Sequence, residues 1–148
     1  MGNLSFDEMY MFGNNMQLTD DQMDFLESLC EGDGPNIKYY VHKMNNSNFL
    51  EKKCKMVFGA KFTRGYLQEY LDEPFYVQVE RMRSTKTYAV RMKMGANYNN
   101  AIMASGWGEV VTKFKIEKED ICLFSFYEEE DGEIYMLIVI LPHPCFLA

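Results

Sequence analysis

The sequence predicts a mainly β fold: seven strands with two or three short helices, arranged as a barrel or sandwich rather than an α/β fold. Three observations carry this expectation. Short segments alternate apolar and polar residues with a period of two, the signature of half-buried strands. Ile121 to Phe126 and Ile134 to Leu141 are almost continuously apolar and rich in β-branched or aromatic residues, as buried strands are. Helical spacing is confined to brief stretches. At 148 residues, with 47% hydrophobic and 15% aromatic side chains, the chain has material for one well-filled core.

The elements follow in order. Residues 1–35 form an acidic extension with one short helix. Thr19 is placed as its N-cap, with Gln22 three residues on completing a capping box. Asp20 and Asp21 fall in the first turn, where the helix dipole favours negative charge. Met23, Leu26 and Cys30, with Leu29 alongside, make an apolar stripe, and Gly32-Asp33-Gly34-Pro35 ends the helix. Residues 36–142 form the main domain, and residues 143–148 a tail.

Within the main domain, Ile37 to Met44 reads as a strand ending in Asn45-Asn46-Ser47-Asn48, a loop by composition. Lys55 to Phe58 is a second strand, and Thr63 to Leu71 a brief helix. Phe75 to Arg83 and Lys86 to Met94 form the clearest hairpin. With Ser84-Thr85 at the centre of the turn, Phe75, Val77 and Val79 face Met94, Met92 and Val90 on the core side. Tyr76 then faces Lys93, Gln78 faces Arg91 and Glu80 faces Ala89 on a polar, basic outer side. Gly95 to Ser105 is small and amide-rich. Glu109 to Lys115 is long enough for one or two helical turns. Ile121 to Tyr127 and Ile134 to Leu141 are joined by a turn at Asp131-Gly132.

The net charge of −7 conceals a strong segregation. Residues 1–35 hold eight acidic side chains and no basic one. Residues 36–118 hold all fifteen Lys and Arg against seven acids, and residues 119–148 hold seven acids alone. The acidic average is therefore a poor guide to partners. Neither apolar run approaches the roughly 18 residues needed to cross a bilayer. The first ten residues lack the basic start of a secretory leader, so an intracellular protein is expected, without a membrane. Cys30, Cys54, Cys122 and Cys145 are too scattered for a zinc or redox motif. No glycine-rich phosphate loop, HExxH or GxSxG occurs, and neither His42 nor His143 has a nucleophile placed beside it. Glu128-Glu129-Glu130-Asp131 suits a solvated acidic turn better than a metal site, because consecutive carboxylates cannot all face one ion. No catalytic residue, metal or cofactor is expected.

Gly106 to Phe124, GWGEVVTKFKIEKEDICLF, resembles the second half of the plant B3 domain. That pattern runs Gly-Trp, an aromatic three residues on, a leucine before a Gly-Asp pair, and a phenylalanine in the next strand. Gly106, Trp107, Asp120 and Phe124 match, and Ile116 stands at the leucine. Val110 replaces the aromatic, and Glu119 replaces the glycine. The order of elements from Asn36 to Leu141 agrees as well, and the chain looks most like the divergent reproductive-meristem type. The resemblance implies a seven-stranded open β-barrel, a DNA-binding pseudobarrel that clasps the major groove with two loop arms. It places those arms at about Met44 to Lys55 and Lys93 to Ser105.

Both arms combine the two kinds of group that DNA recognition needs. Lys and Arg neutralise phosphates, and Asn, Gln and Arg pair with base edges. The candidate contacts are Asn45, Asn46, Ser47, Lys52, Lys53 and Lys55 in the first arm. Gln78, Arg91, Lys93, Asn97, Tyr98, Asn99 and Asn100 belong to the hairpin face and second arm. Asparagine runs also make ordinary turns, and lysine clusters also make solvated strand faces. The expectation is a plant transcriptional regulator in the nucleus that binds double-stranded DNA sequence-specifically. The alternative is a degenerate B3-like fold serving as an interaction module, with a protein partner for the acidic segment around Phe6 to Met16.

Overall fold

The structure, a computed structural model, describes residues 10–13, 18–29, 39–44, 55–67, 70–71, 73–81, 86–95 and 100–141. The strands are β1 (Tyr10–Phe12), β2 (Tyr39–Lys43), β3 (Met56–Val57), β4 (Phe75–Arg81), β5 (Thr87–Met94), β6 (Ala101–Met103), β7 (Ile121–Glu128) and β8 (Ile134–Ile140). They form one mixed sheet in the order β1-β2-β7-β8-β4-β5-β6-β3. Among the described residues, three helices accompany it: α1 (Asp20–Leu29), α2 (Ala60–Phe62), which runs on into a π-helical turn at Thr63–Leu67, and α3 (Trp107–Lys113).

The seven strands β2 to β8 make the open barrel. Alternation decides which side chains fill it: Val77 and Val79 of β4, Val90 and Met92 of β5, and Phe124 and Phe126 of β7 all turn inward and are buried. Tyr40 brings the two ends of the sheet together. Its ring packs on Phe58 and Phe62 at centroid distances of 5.1 and 5.0 Å, and its hydroxyl accepts a hydrogen bond from Gly59 N at 2.9 Å. The aromatic residues at the barrel mouth thereby satisfy a loop N–H that burial would otherwise leave unpaired.

The acidic extension adds to this frame on two sides. β1 runs parallel to β2 as an eighth strand at the sheet edge. α1 lies on the outer face of β2, β7 and β8, where Leu18 and Leu26 are buried against Tyr39, Val41, Leu123 and Val139. The capping box forms as the sequence predicts. Gln22 N donates to Thr19 Oγ1 at 3.1 Å, and Thr19 N donates to Gln22 Oε1 at 3.0 Å.

Three expectations need correction. The β4–β5 hairpin is shifted by two residues, so Tyr76 faces Arg91, Gln78 faces Ala89 and Glu80 faces Thr87. A shift of two preserves the faces because side chains alternate with that period, so the core and outer assignments stand while the partners change. Within Gly95–Ser105, Ala101–Met103 is a strand, paired with both β5 and β3. Three residues are too few to declare a period. The helix expected over Thr63–Leu71 begins earlier, at Ala60, because Phe62 is drawn into the core beside Phe58.

Candidate nucleic-acid interface

The candidate interface comprises the roots of two loops and the strand faces between them. β5 carries Arg91 and Lys93 on its outer side, both exposed, and leads directly into the second loop. Tyr76, 53% exposed, lies across from Arg91 on β4, and Gln78 is half-buried two residues along. Val90 and Met92 are fully buried on the other side, so the alternation that anchors β5 is what holds its two cations outward.

The second loop lies between β5 and β6, narrower than the sequence suggests. Gly95 N donates to Asn100 O at 2.8 Å across its base. The Asn100 side-chain amide donates to Phe58 O at 2.8 Å, and Ala101 N donates to the buried Thr63 hydroxyl at 3.0 Å. β3, α2 and β6 thus lock one root of the loop. After β6 the chain returns along β5: Ala104 N donates to Arg91 O, and Arg91 N donates to Ser105 O.

This close return explains the Gly-Trp pair. Gly106 has φ of +95°, and a Cβ there would stand 2.5 Å from Ala89 O on β5. Only glycine tolerates both the backbone conformation and the approach. Trp107 then turns into the barrel and is fully buried against Phe124.

The first loop is rooted by the other half of the same pattern. Met44 is buried at the end of β2; its N–H donates to Asp120 O at 2.8 Å, and its carbonyl accepts from Glu119 N at 2.9 Å. The Asp120 carboxylate accepts from Glu117 N at 2.8 Å and orders the turn that makes this clamp possible. Glu119 sits at φ of +78°, the left-handed region in which glycine is unstrained. The Glu119 carboxylate meets Lys43 Nζ at 3.0 Å, and Lys43 holds its carboxyl below the usual glutamate range. On the far side of the loop, Lys55 is half-buried and enters β3, where Met56 is fully buried.

Of the sequence-predicted contacts, the structure therefore brings Gln78, Arg91 and Lys93 onto one outer sheet face. It sets Lys55 and Asn100 at the roots of the two loops. Asn45, Asn46, Ser47, Lys52, Lys53, Asn97, Tyr98 and Asn99 lie outside the described residues. Two relevant residues escaped the sequence reading. In the sequence Lys43 is one residue of a strand and Glu119 a departure from the glycine of the pattern, and nothing local announces their ion pair. The signal available for both was position: one immediately precedes the first loop, and the other replaces a glycine. Among the described residues, no group of three or more His, Cys, Asp or Glu side chains could hold a metal ion, and no helix is long and apolar enough to cross a membrane.

Two proteins of Oryza sativa subsp. japonica, each named a B3 domain-containing protein, are similar to this chain. One is 28% identical over 79 residues, covering 53% of this chain and 86% of the relative. The other is 28% identical over 126 residues, covering 82% of this chain, which spans only 23% of that relative's length. Among solved structures, an Arabidopsis FUS3-DNA complex is similar at 14% identity with a TM-score of 0.48, over 69% of this chain and 94% of that one. A hypothetical Arabidopsis thaliana protein is similar at 19% identity with a TM-score of 0.47, over 70% and 90%. No family model matches the sequence. The Gly106–Trp107 and Asp120 features thus stand in a chain that is similar to two rice proteins named for the B3 domain.

Proposed function

We propose that this chain is a sequence-specific double-stranded DNA-binding protein acting as a plant transcriptional regulator in the nucleus. In this reading two arms, between β2 and β3 and between β5 and β6, enter the major groove. Arg91 and Lys93 neutralise phosphates beside the second arm. The asparagines and serine of the arms supply the donors and acceptors that distinguish base edges, and Tyr98 packs on the backbone. Lys52, Lys53 and Lys55 serve the phosphates at the first arm, and Gln78 extends the polar face. Asn100 contributes from the loop base, where its amide already supports the arm through Phe58.

The single observation that carries this reading is the outward pair Arg91 and Lys93 on the strand that feeds an amide-rich loop, in a chain whose every cation lies between residues 36 and 118. Each phosphate contact should contribute about −0.9 to the slope of log affinity against log salt. Arg91→Ala and Lys93→Ala should each weaken binding across all sequences and lower the magnitude of that slope by about one. Fluorescence anisotropy with a selected duplex, repeated over a salt series, measures both. Binding that ignores salt, or variants with unchanged slopes, would remove these residues from the interface.

A further inference from the structure

Glu119 stands at a backbone position suited to glycine: φ of +78° strains any non-glycine residue. The strain directs attention to its side chain. That carboxylate reaches 3.0 Å from Lys43 Nζ, and the two side chains are 44% (Lys43) and 58% (Glu119) exposed. Lys43 is the last residue of β2, directly before the first loop. The geometry of the loop root does not require this ion pair. It is held by the two backbone hydrogen bonds between Met44 and Glu119-Asp120, and by the Asp120 carboxylate on Glu117 N.

Charge is what the Glu119 side chain adds at this place. Resting on the DNA-binding reading above, we propose that Glu119 acts as a built-in competitor for phosphate: it occupies Lys43 at the root of the first arm and so attenuates binding to DNA. An exposed ion pair of this kind is weak enough for a phosphate to displace it at some cost in affinity. Lys43 is then a phosphate-contacting residue whose contribution is set by its neighbour. A B3 chain with glycine in place of Glu119 would lack the brake.

The test compares Glu119→Gln and Glu119→Gly with the unaltered chain on one selected duplex, across a salt series, each in the Lys43 and the Lys43→Gln background. Glu119→Gln keeps a side chain at the strained position, so it separates charge from backbone relief. In the Lys43 background, both variants should bind about three- to tenfold more tightly near 0.1 M salt, the worth of roughly one added phosphate contact. Their salt slope should steepen by about one unit, a readout that a purely structural role would leave unmoved. In the Lys43→Gln background most of the gain should vanish. Unchanged affinity and slope in the Glu119 variants would overturn the inference. So would an equal gain without Lys43, since Glu119 would then act by general repulsion. Failure of every variant, and of the unaltered chain, to bind any duplex at low salt would overturn the DNA-binding reading beneath it.

Discussion

Individual residues of the B3 pattern do physical work that spacing alone does not reveal. Gly106 combines a positive φ with a backbone approach that no Cβ can enter. Gly106→Ala should therefore cost about 2–4 kcal/mol, since it adds a left-handed penalty to a clash with Ala89 O that lies in main chain and cannot rotate away. Urea denaturation monitored by Trp107 fluorescence measures this, and a loss below about 0.5 kcal/mol would show that β5 and α3 can separate without cost. Cys122 offers a second test. It is fully buried on the inner side of β7; burial pushes its thiol far up, the Asp120 carboxylate adds to the rise, and Arg81 opposes it. A group whose folded pKa is raised contributes stability that is complete below its unfolded value, near 8.5, and declines as pH rises beyond that. Between about pH 9 and 10 the chain should lose on the order of 1.4 kcal/mol per pH unit through this thiol, a slope that Cys122→Ala removes. Parallel stability curves for the two proteins over that range would contradict the assignment. In the same folded state the Cys122 thiol should resist alkylation until the barrel opens.

At the scale of elements, the legibility of the fold follows from how much local signal each segment carries. The capping box of α1 was readable because Thr19 and Gln22 act through local hydrogen bonds three residues apart. β7 and β8 were readable because both faces of their sheet region are covered, by the barrel core inside and by α1 outside. The faces of the β4–β5 hairpin were readable and its register was not. Alternation fixes parity, whereas register depends on loop geometry that composition leaves open. β6 was missed because its three residues gain their strand character only from β5 and β3 on either side. β1 was missed for the same reason: its partner, β2, lies 27 residues further along the chain. The sequence offers the candidate site only as types of residue in two segments, most of them outside the described residues, and the supports of the described loop roots were not legible. The hydrogen bonds of Asn100 to Phe58, of Ala101 to Thr63, and of Met44 to Asp120 all join segments distant in sequence. The extension also takes on a different meaning once its packing is known. Removing residues 1–35 strips Leu18 and Leu26 from Tyr39, Val41, Leu123 and Val139, so the truncated chain should be markedly less stable. Leu26→Ala alone should cost about 2–4 kcal/mol, measured by thermal or urea unfolding. A truncation that keeps full stability and binds DNA more tightly would instead make the extension a mask over the basic face.

For the molecule as a whole, the two halves of the B3 pattern divide one task. Gly106-Trp107 returns the chain against β5 and fixes the second loop, while the turn ending in Glu119-Asp120 clamps Met44 and fixes the first. The barrel is thus a rigid frame that sets two loop roots relative to each other, and its packed core is what makes that spacing reproducible. Charge follows the same division. Fifteen of the 22 acids lie in the extension and beyond residue 118, whereas all fifteen Lys and Arg lie in the stretch between, which holds both loops and the hairpin. Their separation makes an acidic protein compatible with the proposed polyanionic partner, because the local field at a surface, rather than the net count, governs encounter. Selection from a random duplex library with the purified chain, followed by affinity measurements over a salt series, tests this most directly. Enrichment of a shared motif, bound with a salt slope corresponding to several phosphate contacts, is the predicted result. A library that stays random after repeated rounds at low salt, or retention that does not change with salt, would contradict it.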